Sequence, residues 1–180
     1  MEDYGHSNYK LFLSGDPKGF ENVVKHYRNN MILFVEQYVR DFAAAEDVTQ
    51  EVFVKIYIKK PHFAARSSFK TWLYAIARRE ALDYLKKQRT HAALDEAIAA
   101  DDSEYVDTIV ENEEKRALYR ALDSLNEDYR RVLYLKYFED LSVKEISALL
   151  KKSPKQATDM LYNAKKALSA VLKRESEIIN

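Results

Sequence analysis

Apolar residues recur every three or four positions over most of the chain, which is the spacing of amphipathic helices. The first such stripe follows Asp16-Pro17, an acidic N-cap before a proline at the first helical position. A second begins around Ala45, and Pro61 ends it. A third follows the loop at 61–67, with apolar side chains at Phe69, Trp72, Leu73, Ile76 and Ala77. The stripes predict an all-α protein.

The third stripe changes character along its length. Its first half is apolar, whereas its second half is crowded with charge between Arg78 and Arg89. Trp72, the single tryptophan, lies in the apolar half, where packing in the core and stacking on a ligand are both open. A helix that is packed at one end and charged at the other is typical of a segment that projects toward a polar partner. Our working hypothesis is that this partner is DNA.

Composition and charge divide the chain into three parts. Only three glycines and three prolines occur in 180 residues, in keeping with helices, and the absence of cysteine excludes disulfides and thiolate metal sites. Residues 1–91 carry a net charge of +4, residues 92–114 carry nine acids and no basic residue, and residues 115–180 carry +5. Two basic modules joined by an acidic connector indicate either two polyanion-binding domains or two ordinary solvated surfaces.

The last third of the chain contains two helix starts close together. Ser142 and Glu145 have the spacing of a capping box, and Ser153-Pro154 starts a further helix after a short turn at Lys151-Lys152. Two capped helices at this spacing form either a helix-turn-helix, whose second helix enters the DNA major groove, or an ordinary helical hairpin. Lysines around the turn and opposite the apolar seam favour the first: Lys151, Lys152, Lys155, Lys165 and Lys166.

Little in the sequence suggests an enzyme. The four histidines are isolated and no glycine-rich phosphate loop is present. Asp47 and Glu51 could in principle share a divalent metal, but such a pair more often faces solvent or a partner. We therefore expect no catalytic residues, no cofactor and no metal. The polar, acidic N-terminus and the short apolar run at 31–35 predict a soluble cytoplasmic protein without membrane insertion.

Two longer segments carry a family resemblance. The run from Ala45 to Phe53 (AEDVTQEVF), followed by Phe63 and the run from Phe69 to Ala77 (FKTWLYAIA), resembles region 2 of bacterial sigma factors. The run from Leu125 to Val132, then Leu141 to Ile146 and the helix-turn-helix, resembles region 4. The resemblance is closest to the extracytoplasmic-function (ECF) group of the sigma-70 family and extends from about residue 16 to 172.

The resemblance implies a non-enzymatic transcription initiation factor that binds core RNA polymerase and promoter DNA through two small helical domains. Residues 1–91 would form region 2, residues 92–112 an acidic linker along the RNA exit path, and residues 113–180 region 4. The implied polymerase-binding residues are Asp47, Gln50, Glu51 and Lys55. Those implied for the −10 element are Arg66, Ser67, Ser68, Lys70, Thr71, Trp72, Tyr74, Arg78, Arg79, Lys86 and Lys87. Those implied for the −35 element are Lys152, Ser153, Lys155, Gln156, Thr158, Asp159, Tyr162, Asn163, Lys165 and Lys166.

Three positions depart from the family pattern. Arg79 stands where an asparagine is common, and Lys151 replaces the usual glycine of the region 4 turn. The second helix of the helix-turn-helix carries Asp159 and lacks the usual arginines. Because an aspartate repels phosphate but accepts a hydrogen bond from cytosine N4, we expect an unusual −35 sequence or a weak −35 contribution.

Two other classes of protein remain open at this point. One is a stand-alone helix-turn-helix regulator that binds duplex DNA without polymerase, and the other is a helical enzyme or interaction scaffold. An anti-sigma factor, common in the family, is a possible further partner of a sigma factor.

Overall fold

The computed structural model describes residues 3–91, 103–110 and 112–179. Every regular element in these ranges is an α-helix, as predicted. The helices are α1 (Tyr4–Leu13), α2 (Pro17–Val39), α3 (Phe42–Lys59), α4 (Phe69–His91), α5 (Ser103–Ile109), α6 (Glu113–Asp123), α7 (Glu127–Tyr137), α8 (Val143–Leu150) and α9 (Pro154–Ile179). The chain forms two compact units, residues 1–100 and residues 101–180.

The first unit is built around α2, which packs against α1, α3 and α4. Residues 31–39 of α2 are buried on every side of the helix, so its second half is the core of this unit. An aspartate caps the start of each of the first three helices: Asp3 for α1, Asp16 for α2 and Asp41 for α3. Because Asp41 accepts from the Ala44 amide, α3 begins three residues before the point that the apolar stripe indicates.

Helix α1 was not among the predicted helices. Its large buried side chains are only Tyr9 and Phe12, whereas Tyr4, Leu11 and Leu13 are exposed. Its apolar stripe is therefore too short to stand out. The close approach of α1 to α2 requires a small residue, because a Cβ on Gly19 would lie 2.3 Å from the Asn8 carbonyl oxygen.

The second unit contains α5 to α9, with α7 and α9 packed against each other at its centre. Residues 132–135 of α7 are fully buried. Residues 103–110, which fall in the predicted acidic linker, form α5 and a following residue, with Val106 and Val110 buried. Arg116 donates to the Asp107 carbonyl oxygen at 2.9 Å, which fixes α5 to α6. Residues 92–102 of the predicted linker lie outside the described residues.

Membrane-spanning helices and metal-binding clusters are both absent from the described residues. No described helix combines the length and hydropathy needed to cross a bilayer. Within the same ranges, no cluster of three or more histidine or acidic side chains has a geometry that would hold a metal ion.

We predict that Gly19→Ala destabilises the first unit by about 1–3 kcal/mol, the usual cost of forcing an extra carbon into packed structure. The new Cβ would press on backbone atoms of α1, which cannot rotate away: the Asn8 oxygen at 2.3 Å and the Phe12 nitrogen at 2.6 Å. Denaturant unfolding followed by the fluorescence of Trp72 measures this unit alone, since Trp72 is the only tryptophan.

Lys18→Ala is the matched control, because Lys18 is the exposed neighbour of Gly19. Its free energy of unfolding should stay within about 0.5 kcal/mol of that of the original protein. An unchanged free energy of unfolding for Gly19→Ala would show that α1 can move away from α2 at this contact without loss of stability.

Candidate nucleic-acid and polymerase interfaces

The loop between α3 and α4 (residues 60–68) is fixed at its base and exposed at its tip. The Tyr9 hydroxyl donates to the Pro61 carbonyl oxygen at 2.8 Å, and Phe63 is buried edge-on against Phe69. Ala65 adopts a left-handed backbone (φ 53°), and Arg66 and Ser67 are exposed. The loop therefore presents a short polar tip from an ordered base.

Two side chains satisfy the first amides of α4. The Ser68 hydroxyl accepts from the Thr71 amide at 3.2 Å, as the serine pair in the sequence suggests. The Asp3 carboxylate accepts from the Phe69 amide at 2.7 Å, and its other oxygen accepts from Gly5 and His6. Asp3 thus caps α1 and α4 together. No local pattern in the sequence signals this second cap, because 66 residues separate Asp3 from Phe69.

The two aromatic candidates of α4 have different surroundings. Trp72 is half-buried, with its ring 5.4 Å from Tyr9 and 5.3 Å from Phe63 between centroids. Tyr74 is fully buried, and its ring lies 4.8 Å from Phe34 inside the unit. A base cannot stack on Tyr74 without opening the core, so the sequence-based placement of Tyr74 in the DNA surface is corrected.

The remaining −10 candidates differ in exposure. Arg79, Lys86 and Lys87 are exposed, and Lys70 and Arg78 are half-buried. Thr71 is 95% buried, with its hydroxyl 2.8 Å from that of Ser68. Thr71 therefore supports the start of α4 and is corrected from a candidate DNA contact to a structural residue.

The polymerase-binding candidates lie on one face of α3. Asp47, Gln50 and Glu51 are exposed, and Lys55 is half-buried. The Lys55 ammonium contacts Glu51 at 2.8 Å, one turn away on α3. It also contacts Glu80 of α4 at 2.6 Å, which joins the two helices. The hydrogen bonds with these carboxylates raise the pKa of Lys55 above its usual value, so Lys55 stays charged.

Glu80 is the residue that sequence patterns left without a role. Its side chain is 9% exposed, and its second oxygen lies 3.4 Å from the Arg79 guanidinium. Burial acts to raise the pKa of Glu80, but the bond and charge of Lys55, with a contribution from Arg79, more than offset it and hold the pKa below its usual value. The buried carboxylate is therefore ionised.

An apolar groove of about 650 Å³ lies between α2 and α3, beside Gln50. Its apolar walls include Phe20, Val24, Phe53, Val54, Tyr57 and Ile58. Ile58 is 71% exposed, which is unusual for an isoleucine. This groove was not predicted, but the sequence contains a signal for it: Val54 and Ile58 lie one turn apart and outside the main apolar stripe of α3. An ion pair between Arg28 and Glu46 closes one side of the groove.

The predicted capping box at the start of α8 is confirmed. The Glu145 amide donates to the Ser142 hydroxyl at 3.3 Å, and the Ser142 amide donates to the Glu145 carboxylate at 2.9 Å. The turn passes through Lys151 in a left-handed conformation (φ 56°), where a glycine would fit without strain. Helices α8 and α9 pack against each other.

Helix α9 starts with a second reciprocal cap. The Gln156 amide donates to the Ser153 hydroxyl at 3.1 Å, and the Ser153 amide donates to the Gln156 side-chain oxygen at 2.8 Å. The serine-x-x-glutamine spacing was a signal for this cap. Ser153 and Gln156 therefore have structural partners already, although both side chains remain exposed.

The apolar seam of α9 separates it into a buried and an exposed face. Ala157, Leu161, Ala164 and Leu168 are buried. All the −35 candidates are exposed: Lys152, Ser153, Lys155, Gln156, Thr158, Asp159, Tyr162, Asn163, Lys165 and Lys166. Tyr162 is 69% exposed. Eight of these positions lie within α9, and their polar or aromatic side chains have no core role and are available to a groove of DNA.

Comparison with known families matches both units. Residues 23–91 match the family described as Sigma-70 region 2. Residues 115–168 match the family described as Sigma-70, region 4. Together the two matches extend over most of the chain and include the loop, α3, α4 and the helix-turn-helix.

Individual relatives match over most of the chain. The ECF RNA polymerase sigma-E factor of Escherichia coli is 30% identical over 166 residues, which cover 86% of each protein. The ECF sigma factor SigW of Bacillus subtilis is 28% identical over 153 residues, 78% of this chain and 82% of SigW. Among solved structures, the sigma factor RpoE of Bartonella quintana, bound to the anti-sigma factor NepR, has the same fold: the TM-score is 0.66 at 21% identity, over 87% of this chain and 98% of RpoE.

The family matches, the capped helix-turn-helix and the near full-length relatives agree with one another. The chain belongs to the ECF sigma factors of the sigma-70 family, proteins that act without chemical catalysis by binding core RNA polymerase and directing it to promoters.

Proposed function

We propose that the two units divide promoter recognition between them. Residues 1–91 bind core polymerase and recognise and melt the −10 element, and residues 113–180 bind the −35 element. Residues 92–112 form the acidic connector, although α5 within it packs on the second unit, and their acidic side chains are suited to a basic channel such as the RNA exit path. The observation that carries this proposal is found in both units. Helix α4 in the first unit and helix α9 in the second each bury an apolar side and expose a polar side.

The −10 surface consists of the loop tip and one side of α4. An unstacked base would bind at the tip of the loop, which contains Arg66 and Ser67 and is followed by Ser68. Trp72 is half-buried and is the aromatic candidate for stacking, which contributes about 1–3 kcal/mol per base in proteins that bind single strands. Lys70, Arg78, Arg79, Lys86 and Lys87 supply positive charge along the strand backbone.

Core polymerase binds the exposed face of α3. Asp47, Gln50 and Glu51 supply carboxylates and an amide that suit a basic or polar partner surface. The apolar groove shares Gln50 with this face, so a partner side chain that enters it extends the same interface. A polar rim beside an apolar pocket is the usual anatomy of a protein–protein interface.

The exposed face of α9 binds the −35 element. Lys152, Lys155, Lys165 and Lys166 contact phosphates, whereas Thr158, Asp159, Tyr162 and Asn163 face the bases. Ser153 and Gln156 act beside them while they cap the helix.

The location and the remaining partner follow from the same role. A protein that binds polymerase acts in the cytoplasm of a bacterium. An anti-sigma factor is a candidate regulator of this chain, because RpoE, which has the same fold, is bound to one.

We expect the purified protein to bind promoter duplex poorly by itself and to initiate specific transcripts when mixed with core polymerase. Promoters selected in vitro from a random library with core polymerase provide the templates. Run-off transcription and footprinting, each with and without core, measure the effect. Protection of a defined duplex site without core polymerase, together with no specific transcript when core polymerase is added, would support a stand-alone regulator instead.

Reversing two charges on α3 should weaken binding to core polymerase by about tenfold or more, because like charges replace complementary ones at an interface. The variant is Asp47→Lys with Glu51→Lys, and the measurement is titration of core polymerase with labelled protein. The helical circular dichroism should not change, since both side chains are exposed.

Glu21→Lys with Glu114→Lys is the matched control. Both residues are exposed glutamates outside the proposed interface, and the total charge change is the same. Equal loss of core binding in the control would mean that net charge, and not the α3 face, governs the association.

Asp159→Ala should change the selected −35 sequence at about one or two base pairs, where an aspartate accepts from cytosine N4. Selection of promoters with the variant and core polymerase measures the change. Lys166→Ala is the comparison variant, and it should weaken binding evenly across sequences because it removes a phosphate contact. An identical motif for Asp159→Ala and the original protein would exclude base recognition by Asp159.

A further inference from the structure

Glu80 occupies a position where burial of a carboxylate needs an explanation. It lies in the half of α4 that is rich in basic residues, yet its side chain is only 9% exposed. Taking a carboxylate out of water costs several kcal/mol unless close cations and hydrogen bonds offset the loss. An apolar side chain at this position would bury the same surface without that cost.

The two oxygens of Glu80 bind cations from two different surfaces. One oxygen accepts from Lys55 at 2.6 Å, and Lys55 also contacts Glu51 at 2.8 Å on the polymerase-binding face. The other oxygen lies 3.4 Å from Arg79, whose side chain is 68% exposed on the −10 surface. A continuous series of ion pairs therefore runs from Glu51 through Lys55 and Glu80 to Arg79.

The two contacts of Glu80 differ in strength. The contact with Lys55 is short and partly buried, so it anchors the carboxylate. The contact with Arg79 is long and its guanidinium is mostly exposed, and pairs with an exposed partner contribute little to stability. Its consequence is orientational, because a guanidinium tied to a fixed oxygen samples fewer directions than a free one.

We propose that Glu80 is a positioning residue that orients Arg79 toward the −10 strand and links it, through Lys55, to the polymerase-binding face. The proposal rests on the proposed function, in which Arg79 contacts DNA and Glu51 contacts polymerase. When polymerase engages Glu51, Lys55 keeps its bond to Glu80, so the orientation of Arg79 is retained in the assembled holoenzyme.

The test uses the full chain assembled with core polymerase and a labelled single-stranded −10 oligonucleotide from a promoter selected as above. Glu80→Gln, Arg79→Ala and the double variant are compared. Asp83→Asn is the matched control, because Asp83 is an exposed carboxylate one turn further along α4. Removing a negative charge near DNA should by itself leave strand binding unchanged or tighten it.

We expect Glu80→Gln to weaken strand binding about fivefold, opposite in sign to a simple charge effect, with core affinity within about twofold of the original. The double variant should bind no more weakly than Arg79→Ala, because Glu80 acts through Arg79. If the double variant lost strand affinity by the product of the two single losses, Glu80 and Arg79 would act independently and the proposal would be overturned. Normal strand binding by Glu80→Gln would overturn it as well.

Two further outcomes separate the role of Glu80 from that of Arg79. Normal strand binding by Arg79→Ala would remove Arg79 from the proposed DNA surface, and with it the role of Glu80, while transcription with core would still test the function as a whole. Glu80→Asp keeps the charge but shortens the side chain, so that one carboxylate no longer spans both cations. It should weaken strand binding too, and normal binding would show that charge rather than position matters. Trp72 fluorescence checks that each variant is folded.

Discussion

The packing around Phe69, the first residue of α4, is the constraint on which region 2 depends. Four rings surround Phe69, with centroid distances of 5.4 Å to Tyr9, 5.4 Å to Phe63, 5.1 Å to Trp72 and 5.9 Å to Tyr27. Each such aromatic pair contributes about 0.5–1.5 kcal/mol beyond its buried area. The rings come from α1, α2, the loop and α4 itself, so one set of contacts fixes the start of α4 and the base of the loop together.

Two other features make this arrangement specific. Gly5 leaves room for the Phe69 ring, since a Cβ there would lie 2.3 Å from it. The Phe69 amide donates to Asp3, so the same residue is fixed by its backbone as well as its side chain. The polar tip of the loop therefore stands on an ordered base, and the exposed residues of the tip do not have to provide that order themselves.

The sequence was sufficient to predict the helices with long apolar stripes. Helices α2, α3 and α4 and the helix-turn-helix were predicted because their core positions repeat over several turns. The contacts of Asp3 and Glu80 were not, because each joins segments far apart in the chain. Tyr74 could have been separated from Trp72: side chains two residues apart on a helix point about 200° apart, and Tyr74 shares its face with the buried Ala77 and Ala81.

The left-handed residues at helix ends carry a consequence for the charge at those ends. Arg40, Lys60 and Lys151 end α2, α3 and α8 in the conformation that glycine adopts freely. A side chain in that conformation costs about 1 kcal/mol, partly offset by a positive charge at the negative end of the helix dipole. Glycine at Lys60 or Lys151 would relieve this strain and remove a cation, whereas glycine at Arg40 would also break the ion pair of Arg40 with the buried Glu36 carboxylate. The chain thus keeps a positive charge at three helix ends in spite of the backbone strain there.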